Sequence, residues 1–335
     1  MLGVEPEIIE SAHAAKRRPE MFALPGAFGF SSEESLRKLV REAADQLCQV
    51  VDGNLDFIVR VAESDDDMDK FLLLVNFVLA SARRSFDDLR AANQRLETDL
   101  TTARQLQENL LPQTLEHGPN LQIGAKFVPA RTVGGDFFDF LRYEHRGLYA
   151  GILADVSGKG AAAAIYAALA SGMVRWLVQE ELMPNEMLSK LNRSLFNRAP
   201  EGQFVAMSYF TWDDENRLLQ ISNSGLPEPL LCRDGNIRVL AAHGLPLGLF
   251  SNSAYETMQV QCVPGDTLLF YTDGIVDSVD PGGTEFGTGR LAEVVLHSCE
   301  SDAAEIVDSV ISNVHEYCRC EFNVDDQTVL AMRVL

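Results

Sequence analysis

The chain has 335 residues, of which 46% are hydrophobic and 23% charged, a composition typical of a soluble globular protein with one large or two moderate domains. Its formal net charge of −21 argues against nonspecific nucleic-acid binding, which needs a basic surface. The six cysteines are scattered, and the close pair Cys318 and Cys320 lacks the second pair that a zinc site requires. Reduced thiols in a cytoplasm are therefore expected.

Neither a leader nor a membrane segment is expected. Glu5, Glu7 and Glu10 stand where a signal peptide carries basic residues. The longest apolar run, Phe71 to Ala80, contains Asn76 and is too short to span a bilayer. These features predict a soluble, cytoplasmic protein without a membrane partner.

Residues 1–83 are predicted to form a helical regulatory or sensor region. One apolar stripe follows a helical period and comprises Leu36, Leu39, Val40, Ala43, Leu47, Val50 and Val51. A second helix is expected after Asp65, Asp66 and Asp67, with buried side chains at Phe71, Leu72, Val75, Val78 and Leu79.

Residues 84–112 are predicted to form a coiled-coil linker helix. Four heptads place these residues along one seam: Phe86, Leu89, Asn93, Leu96, Leu100, Ala103, Gln107 and Leu110. A single Asn at such a position favours a parallel homodimer at some cost in stability. A long amphipathic helix packed on its own domain explains the pattern equally well. Pro112 ends the helix in either case.

Residues 113–335 are predicted to form an α+β domain. Most strand-like segments follow one another directly, which favours antiparallel sheets over a doubly wound fold. The predicted strands are 121–128, 147–154, 204–212, 217–222, 230–233, 237–240, 257–262, 267–272 and 328–334, and the predicted helices are 161–179, 184–197, 290–298 and 303–319.

Aspartates recur at the margins of these strands. Asp155 ends an apolar run ahead of a glycine-rich turn, and three similar positions are Asp136, Asp273 and the doublet Asp325-Asp326. Several carboxylate oxygens from separate elements are what Mg²⁺ or Mn²⁺ requires, and the six histidines show no metal-pair spacing. An Asp-Gly pair is more often only a turn, which is the interpretation preferred for Asp52-Gly53 and Asp234-Gly235.

Other chemistries fit the sequence less well. Ser157 to Gly160 lacks both the upstream glycine and the Ser or Thr of a phosphate-binding loop, and no Gly-x-Ser-x-Gly elbow is present. Without an obvious nucleophile or base, a metal-activated water is the simplest mechanism. Two ions about 3.5–4 Å apart are suited to it.

Five motifs in order resemble a PPM-family (type 2C) metal-dependent serine/threonine phosphatase of the SpoIIE/RsbU-like branch. The motifs are Val133-Gly134-Gly135-Asp136-Phe137-Phe138-Asp139, Ala154 to Gly160, Gly244 to Gly248, Thr272-Asp273-Gly274 and Asp325-Asp326-Gln327-Thr328. Residues 105–112 also resemble the linker helix that precedes the catalytic domain in these enzymes. The fold implied is a β-sandwich flanked by helices (αββα).

The resemblance also implies a ligand set for two Mn²⁺ or Mg²⁺ ions. Asp155 would bridge the ions and the Val156 carbonyl would bind one of them. Asp273 and Asp325 would complete the shell of the other, with Asp326 as the alternative to Asp325. Asp136 would ligate directly or through water. Asp139 is a weaker candidate, better explained as a supporting or turn residue.

The resemblance implies a substrate as well: a phosphoserine or phosphothreonine protein, expected to be a STAS-domain anti-anti-sigma factor in a partner-switching pathway. An activating or response-regulator-like partner would bind the N-terminal helical region, residues 31–80. The alternative is an inactive phosphatase-fold scaffold that binds phosphoproteins or anti-sigma factors. A phosphodiesterase is disfavoured because histidine is scarce. Leu226 stands where many relatives carry a histidine, a difference that affects the expected substrate loop. Arg131 is near the position of the phosphate-binding arginine of eukaryotic relatives but is better explained as a solvated surface residue, which leaves the phosphate-binding cation unassigned.

Overall fold

The structure is a computed structural model that describes residues 37–38, 40–41, 44–45, 67–115, 117–143, 147–198, 202–319 and 324–335. The chain divides into two compact units, Met1–Ala92 and Asn93–Leu335. Within the first predicted helix Val40 is helical and exposed, while the rest of its apolar stripe lies outside the described residues, as does the Asp52-Gly53 turn.

Helix α1 is continuous over Asp67–Leu110, 44 residues, and passes through the predicted boundary at residues 83 and 84. Phe71 and Val78 were predicted to be buried, but both are exposed. That prediction was wrong because an apolar stripe on a helix indicates only that a partner surface is preferred, and no described element of the Met1–Ala92 unit covers these two side chains.

In the residues that the structure describes, ten strands form two five-stranded sheets in which every neighbouring pair is antiparallel. The first sheet has the order β1-β10-β9-β6-β7 and the second β2-β3-β4-β5-β8. The strands are β1 (Leu121–Val128), β2 (Phe137–Arg142), β3 (Leu148–Val156), β4 (Val205–Asp213), β5 (Leu218–Ser224), β6 (Leu230–Arg233), β7 (Asn236–Val239), β8 (Met258–Gln261), β9 (Thr267–Tyr271) and β10 (Gln327–Val334).

The sheets pack face to face around a core that includes Phe210, Trp212 and Phe270. Helices α2 (Ala161–Val178) and α3 (Pro184–Phe196) cover the outer face of the second sheet. Helices α4 (Asp273–Val276), α5 (Gly287–Ser298) and α6 (Ala303–Cys318) share a third core with the first sheet. The four layers confirm the predicted αββα fold.

Two local predictions have clear outcomes. The Asp234-Gly235 turn joins β6 to β7, and both residues adopt positive φ angles of 50° and 69°, as a tight hairpin requires. Strand β2 was not predicted as a strand. Four of its six residues are buried, so it lacks the alternation of polar and apolar residues that marks a half-exposed strand.

Within the described parts of the chain, α2 alone has the length and the apolar composition of a helix that could cross a membrane. Its buried face includes Ala163, Ala167, Ala170 and Val174, which pack into the outer core of the second sheet. This packing accounts for the apolar residues on the buried face, whereas Ile165, Leu169 and Trp176 of the same helix are exposed.

Candidate metal centre

Four predicted acids come from the ends of paired strands. Phe137, next to Asp136, pairs with Ala154, next to Asp155, so these two carboxylates lie at the same edge of the second sheet. In the first sheet Thr272 donates its backbone N–H to the Thr328 carbonyl at 3.0 Å, which places Asp273 beside the residues that precede β10. Antiparallel pairing thus brings acids distant in sequence to two neighbouring edges.

Asp136 joins the two edges. It is 1% exposed, and its Oδ2 accepts hydrogen bonds from the hydroxyls of Thr272 at 2.9 Å and Thr328 at 2.6 Å. Its other oxygen, Oδ1, is buried without a hydrogen-bond donor. Burial, followed by the negative charge of Asp155, raises the pKa of Asp136 well above its ordinary value, although both threonine hydrogen bonds oppose the shift.

Asp155 lies within hydrogen-bonding reach of Asp136. Burial is the main cause that raises the pKa of Asp155 to about 6, and the charges of Asp273, Asp325 and Asp326 act in the same direction. Two ionised carboxylates have no proton to share, so a proton or a cation must lie between Asp136 and Asp155 to stabilise this arrangement.

Asp273 and Asp325 form the more open side of the cluster. Asp273 is the first residue of α4. Partial burial of its carboxyl is the main cause that raises the pKa of Asp273, and the charges of Asp325 and Asp277 raise it further. Asp325 is partly exposed, and its Oδ2 lies 3.0 Å from the Lys159 Nζ. The cluster therefore opens to solvent at these two residues.

Asp326 has a different environment from Asp325. It is buried, and its Oδ1 and Oδ2 accept backbone N–H groups of Ala130 at 2.8 Å and Gly135 at 2.6 Å. A Cβ on Gly134 would lie 2.5 Å from the Asp326 Oδ2, so glycine is needed there for close approach. Asp326 thus holds the loop that carries Asp136.

The Val156 carbonyl belongs to the same group. A Cβ added to Gly135 would lie 2.7 Å from the Val156 oxygen, which places this carbonyl against the loop that leads to Asp136. The Val156 peptide oxygen follows Asp155 in sequence, and it is of the kind that a hard cation binds.

Asp139 does not belong to the cluster's open side. It lies in β2, is 3% exposed, and forms an ion pair at 2.7 Å with the Nε of Arg175 from α2. The same guanidinium donates from Nη2 to the Leu110 carbonyl at the end of α1. Asp139 thus has a supporting role, and the alternative prediction of a turn residue was wrong because β2 continues through it.

The donor set fits a divalent metal ion. Gathered carboxylates with raised pKa values and a buried, donor-free oxygen are stabilised by positive charge, and all the ligand atoms are oxygen. In the described part of the chain no three His, Cys, Asp or Glu side chains already surround one point. The Asp325 Oδ2 is paired with the Lys159 Nζ.

Thr272, Thr328 and Lys159 were not predicted as parts of the site. All three stand inside the motifs around the acids, but their contacts depend on strand pairing across two sheets. Arg131, the candidate phosphate-binding cation, is exposed, and a Cβ on Gly160 would lie 3.9 Å from its Nη1.

Comparisons with known proteins agree with this architecture. The sequence model of the family described as Stage II sporulation protein E (SpoIIE) matches residues 145–335. The phosphoserine phosphatase RsbU of Bacillus subtilis (strain 168) is 24% identical over 300 residues, which cover 89% of this chain and 84% of RsbU. The phosphoserine phosphatase RsbP of the same organism is 23% identical over 243 residues, covering 70% of this chain and 58% of RsbP.

Solved structures share the fold. The SiaA-PP2C domain of Pseudomonas aeruginosa superposes with a TM-score of 0.64 at 22% identity, covering 72% of this chain and 98% of that domain. The PP2C phosphatase domain of SpoIIE from Bacillus subtilis, with a fragment of its regulatory domain, gives a TM-score of 0.57 at 19% identity, covering 65% of this chain and 64% of that structure. The chain therefore belongs to the SpoIIE family, in the SpoIIE/RsbU branch of the PPM phosphatases.

Proposed function

We propose that the chain is a divalent-metal-dependent serine/threonine protein phosphatase. The observation that carries this proposal is the buried Asp136 beside Asp155, with one oxygen fixed by two threonines and the other lacking any donor. A cation between these carboxylates would relieve the cost of burying like charges. The phosphoserine phosphatase activity named for RsbU and RsbP supports the same reaction here.

Each residue at the site has a proposed role. Asp136, Asp155 and the Val156 carbonyl would hold one divalent ion, Mn²⁺ or Mg²⁺. Asp273 and Asp325 would hold a second, with Asp155 shared between the two. Asp325 is the better ligand of the doublet, because it is partly exposed and accepts one backbone N–H group, whereas Asp326 is buried and both of its oxygens accept backbone N–H groups.

The protein's own groups prepare the site for phosphoryl transfer. Thr272 and Thr328 hold the Asp136 Oδ2, so that its Oδ1 stays directed into the cluster. Asp136 and Asp155 retain a proton between them more readily than ordinary carboxyls do, and they release it as positive charge enters. When bound, the ions supply Lewis acidity that activates water and offsets charge on the phosphoryl oxygens.

The proposed substrate is a phosphoserine or phosphothreonine on a STAS-domain protein of a cytoplasmic partner-switching pathway. The relatives RsbU and RsbP, together with a matched structure of the RsbU and RsbW domains of Rv1364c from Mycobacterium tuberculosis, motivate this choice. The open side of the cluster at Asp273 and Asp325 suits a protein-borne phosphate better than a deep pocket would.

The test is Mn²⁺-dependent release of phosphate from phosphorylated STAS proteins by wild-type protein, Asp155→Asn and Asp273→Asn. Both variants should lose at least about 100-fold in turnover, because each removes a charged metal ligand. Asp308→Asn is the matched control, since Asp308 is an exposed acid paired with Lys126 and should leave turnover unchanged. Undiminished turnover in the site variants would overturn the assignment, and phosphoprotein binding without any turnover would favour the inactive scaffold.

Regulation is proposed to enter through α1. Phe86, Leu89 and Leu96 of the heptad seam are exposed, whereas Gln107 exchanges hydrogen bonds with both the Gly134 carbonyl and N–H at 2.7 and 3.1 Å. The seam thus offers an apolar surface to a second copy of the chain, and its last turn contacts the loop before Asp136. An activating protein at residues 31–80 would act through this helix.

A further inference from the structure

A lysine lies against the open side of the acid cluster. Lys159 follows β3 in the glycine-rich turn, and its Nζ donates to the Val324 carbonyl at 2.7 Å and pairs with the Asp325 Oδ2 at 3.0 Å. The other Asp325 oxygen, Oδ1, accepts the Asp326 N–H at 3.0 Å. Both oxygens of Asp325 therefore already have partners.

The charge of Lys159 extends to a second acid. Burial and the charges of Asp325 and Asp277 raise the pKa of Asp273, and the ammonium of Lys159 partly opposes them. Lys159 thus pairs with Asp325 directly, and its charge also acts on Asp273, the second carboxylate that the proposed function assigns to the same ion. Asp136, assigned to the other ion, is held instead by the hydroxyls of Thr272 and Thr328.

The lysine is able to leave this position. Its side chain is 36% exposed, and an ammonium on a flexible four-carbon stem is well hydrated in solvent. An ammonium and a divalent ion next to the same carboxylate oxygen repel each other, so one must give way to the other.

Building on the proposed function, we propose that Lys159 is a resident counter-cation that competes with the divalent ion at Asp273 and Asp325. Its ammonium must release the Asp325 Oδ2 before that oxygen can bind metal. Lys159 thereby makes this half of the site the weaker one, and the two ions bind in sequence. Lys159 is a positioning residue for Asp325 and sets the metal concentration at which the site fills.

The experiment is calorimetric titration of Mn²⁺ into the full chain, without substrate, for wild type, Lys159→Met and Lys159→Arg. Lys159→Met should tighten the weaker of two binding events on the order of tenfold, since a unit charge within a few ångströms of a divalent ion is removed. Lys159→Arg retains the charge and should stay within about threefold of wild type. Lys126→Met breaks a comparable surface pair with Asp308, remote from the cluster, and should change neither event.

Thermal melting in the presence of a chelator should show a loss of stability for Lys159→Met, although the same variant binds Mn²⁺ more tightly. Lys159→Met should lower the Tm of the metal-free protein by a few degrees, because the cluster loses its counter-charge, while Mn²⁺ binding becomes tighter. Unchanged or weaker binding of the second ion in Lys159→Met, with two ions bound by wild type, would overturn the role of Lys159 and leave the proposed function intact. Absence of Mn²⁺ binding to wild type would overturn both.

Discussion

At the scale of single residues, the hydroxyls of Thr272 and Thr328 that hold Asp136 are as important to the proposed site as its acidic residues. Thr272 Oγ1 donates to Asp136 and also accepts the Thr328 N–H at 3.0 Å. One threonine that follows β9 and one within β10 therefore support the same carboxylate. Removing one hydroxyl leaves a buried charge with fewer donors, which costs about 1–3 kcal/mol.

Thr328→Val should therefore destabilise the protein and shift its activity profile. The Thr328 hydrogen bond lowers the pKa of Asp136, so its loss raises that pKa, and the acidic limb of the pH–rate profile should move to higher pH. Urea unfolding and the pH dependence of kcat/KM measure the two effects. Thr211→Val removes a hydroxyl that bonds Gln220 on a strand away from the site, and it should leave the pH profile in place. An unshifted profile in Thr328→Val would contradict the proposed role.

Asp155 gives a pH dependence with a defined sign. Its folded-state pKa of about 6 lies above the unfolded value, so its stabilising contribution is complete below the unfolded pKa and is lost as pH rises through about 6. Asp155→Asn should therefore stabilise the chelated protein at pH 7 by roughly 1–2 kcal/mol, after allowance for partial exposure, and by little at pH 4. Denaturant unfolding at both pH values in chelator measures this, and equal stability of the two proteins at pH 7 would argue against the strained cluster.

At the scale of secondary-structure elements, Arg175 connects three segments. It pairs with the buried Asp139 of β2 and donates to the Leu110 carbonyl at the end of α1, while α2 itself packs on the second sheet. A buried carboxylate left without its partner is costly, whereas an exposed ion pair contributes little.

Arg175→Met should lower the free energy of unfolding by about 1–3 kcal/mol, because Asp139 stays buried and loses its counter-charge. Lys190→Met is the control, since it breaks an exposed pair with Glu180 and should cost under about 1 kcal/mol. Adding Asp139→Asn to Arg175→Met should recover part of the loss. Equal effects of the two single variants in denaturant unfolding would refute the supporting role of Arg175.

The exposed seam of α1 makes a prediction about assembly. Leu89 lies at an apolar heptad position and is 59% exposed, so Leu89→Asp should convert a dimer into a monomer by placing charge in the seam. Arg90→Asp, on the neighbouring position outside the seam, is the charge-changing control. Analytical ultracentrifugation at micromolar concentration distinguishes the two outcomes, and a monomeric wild-type protein would contradict the dimer.

At the scale of the whole molecule, strand length and turn residues predict an α+β domain with antiparallel sheets, and the resemblance to the PPM family implies the sandwich. The Asp234-Gly235 hairpin and the antiparallel arrangement are confirmed in this way. Strand β2 was missed because its residues are buried on both faces. The sequence left open whether Asp325 or Asp326 is the metal ligand, because the answer depends on which carboxylate accepts the Gly135 N–H of the neighbouring loop.

Long-range contacts explain the rest of what pattern reasoning left open. The hydrogen bonds from Thr328 to Asp136 and from Lys159 to Val324 join residues 192 and 165 positions apart. Such contacts follow from strand pairing and from the packing of two sheets, so the periodicity of a single segment does not predict them. The seam of α1 is a similar case: Gln107 fits a heptad, but its partner is the peptide group of Gly134.

The most direct measurement is a crystal structure of the protein soaked in Mn²⁺, with anomalous difference maps. Convergence of Asp136, Asp155, Asp273 and Asp325 on bound ions predicts two peaks per chain, about 3.5–4 Å apart, with Asp155 in contact with both. Peaks elsewhere on the acidic surface, or none between these four carboxylates, would contradict the account.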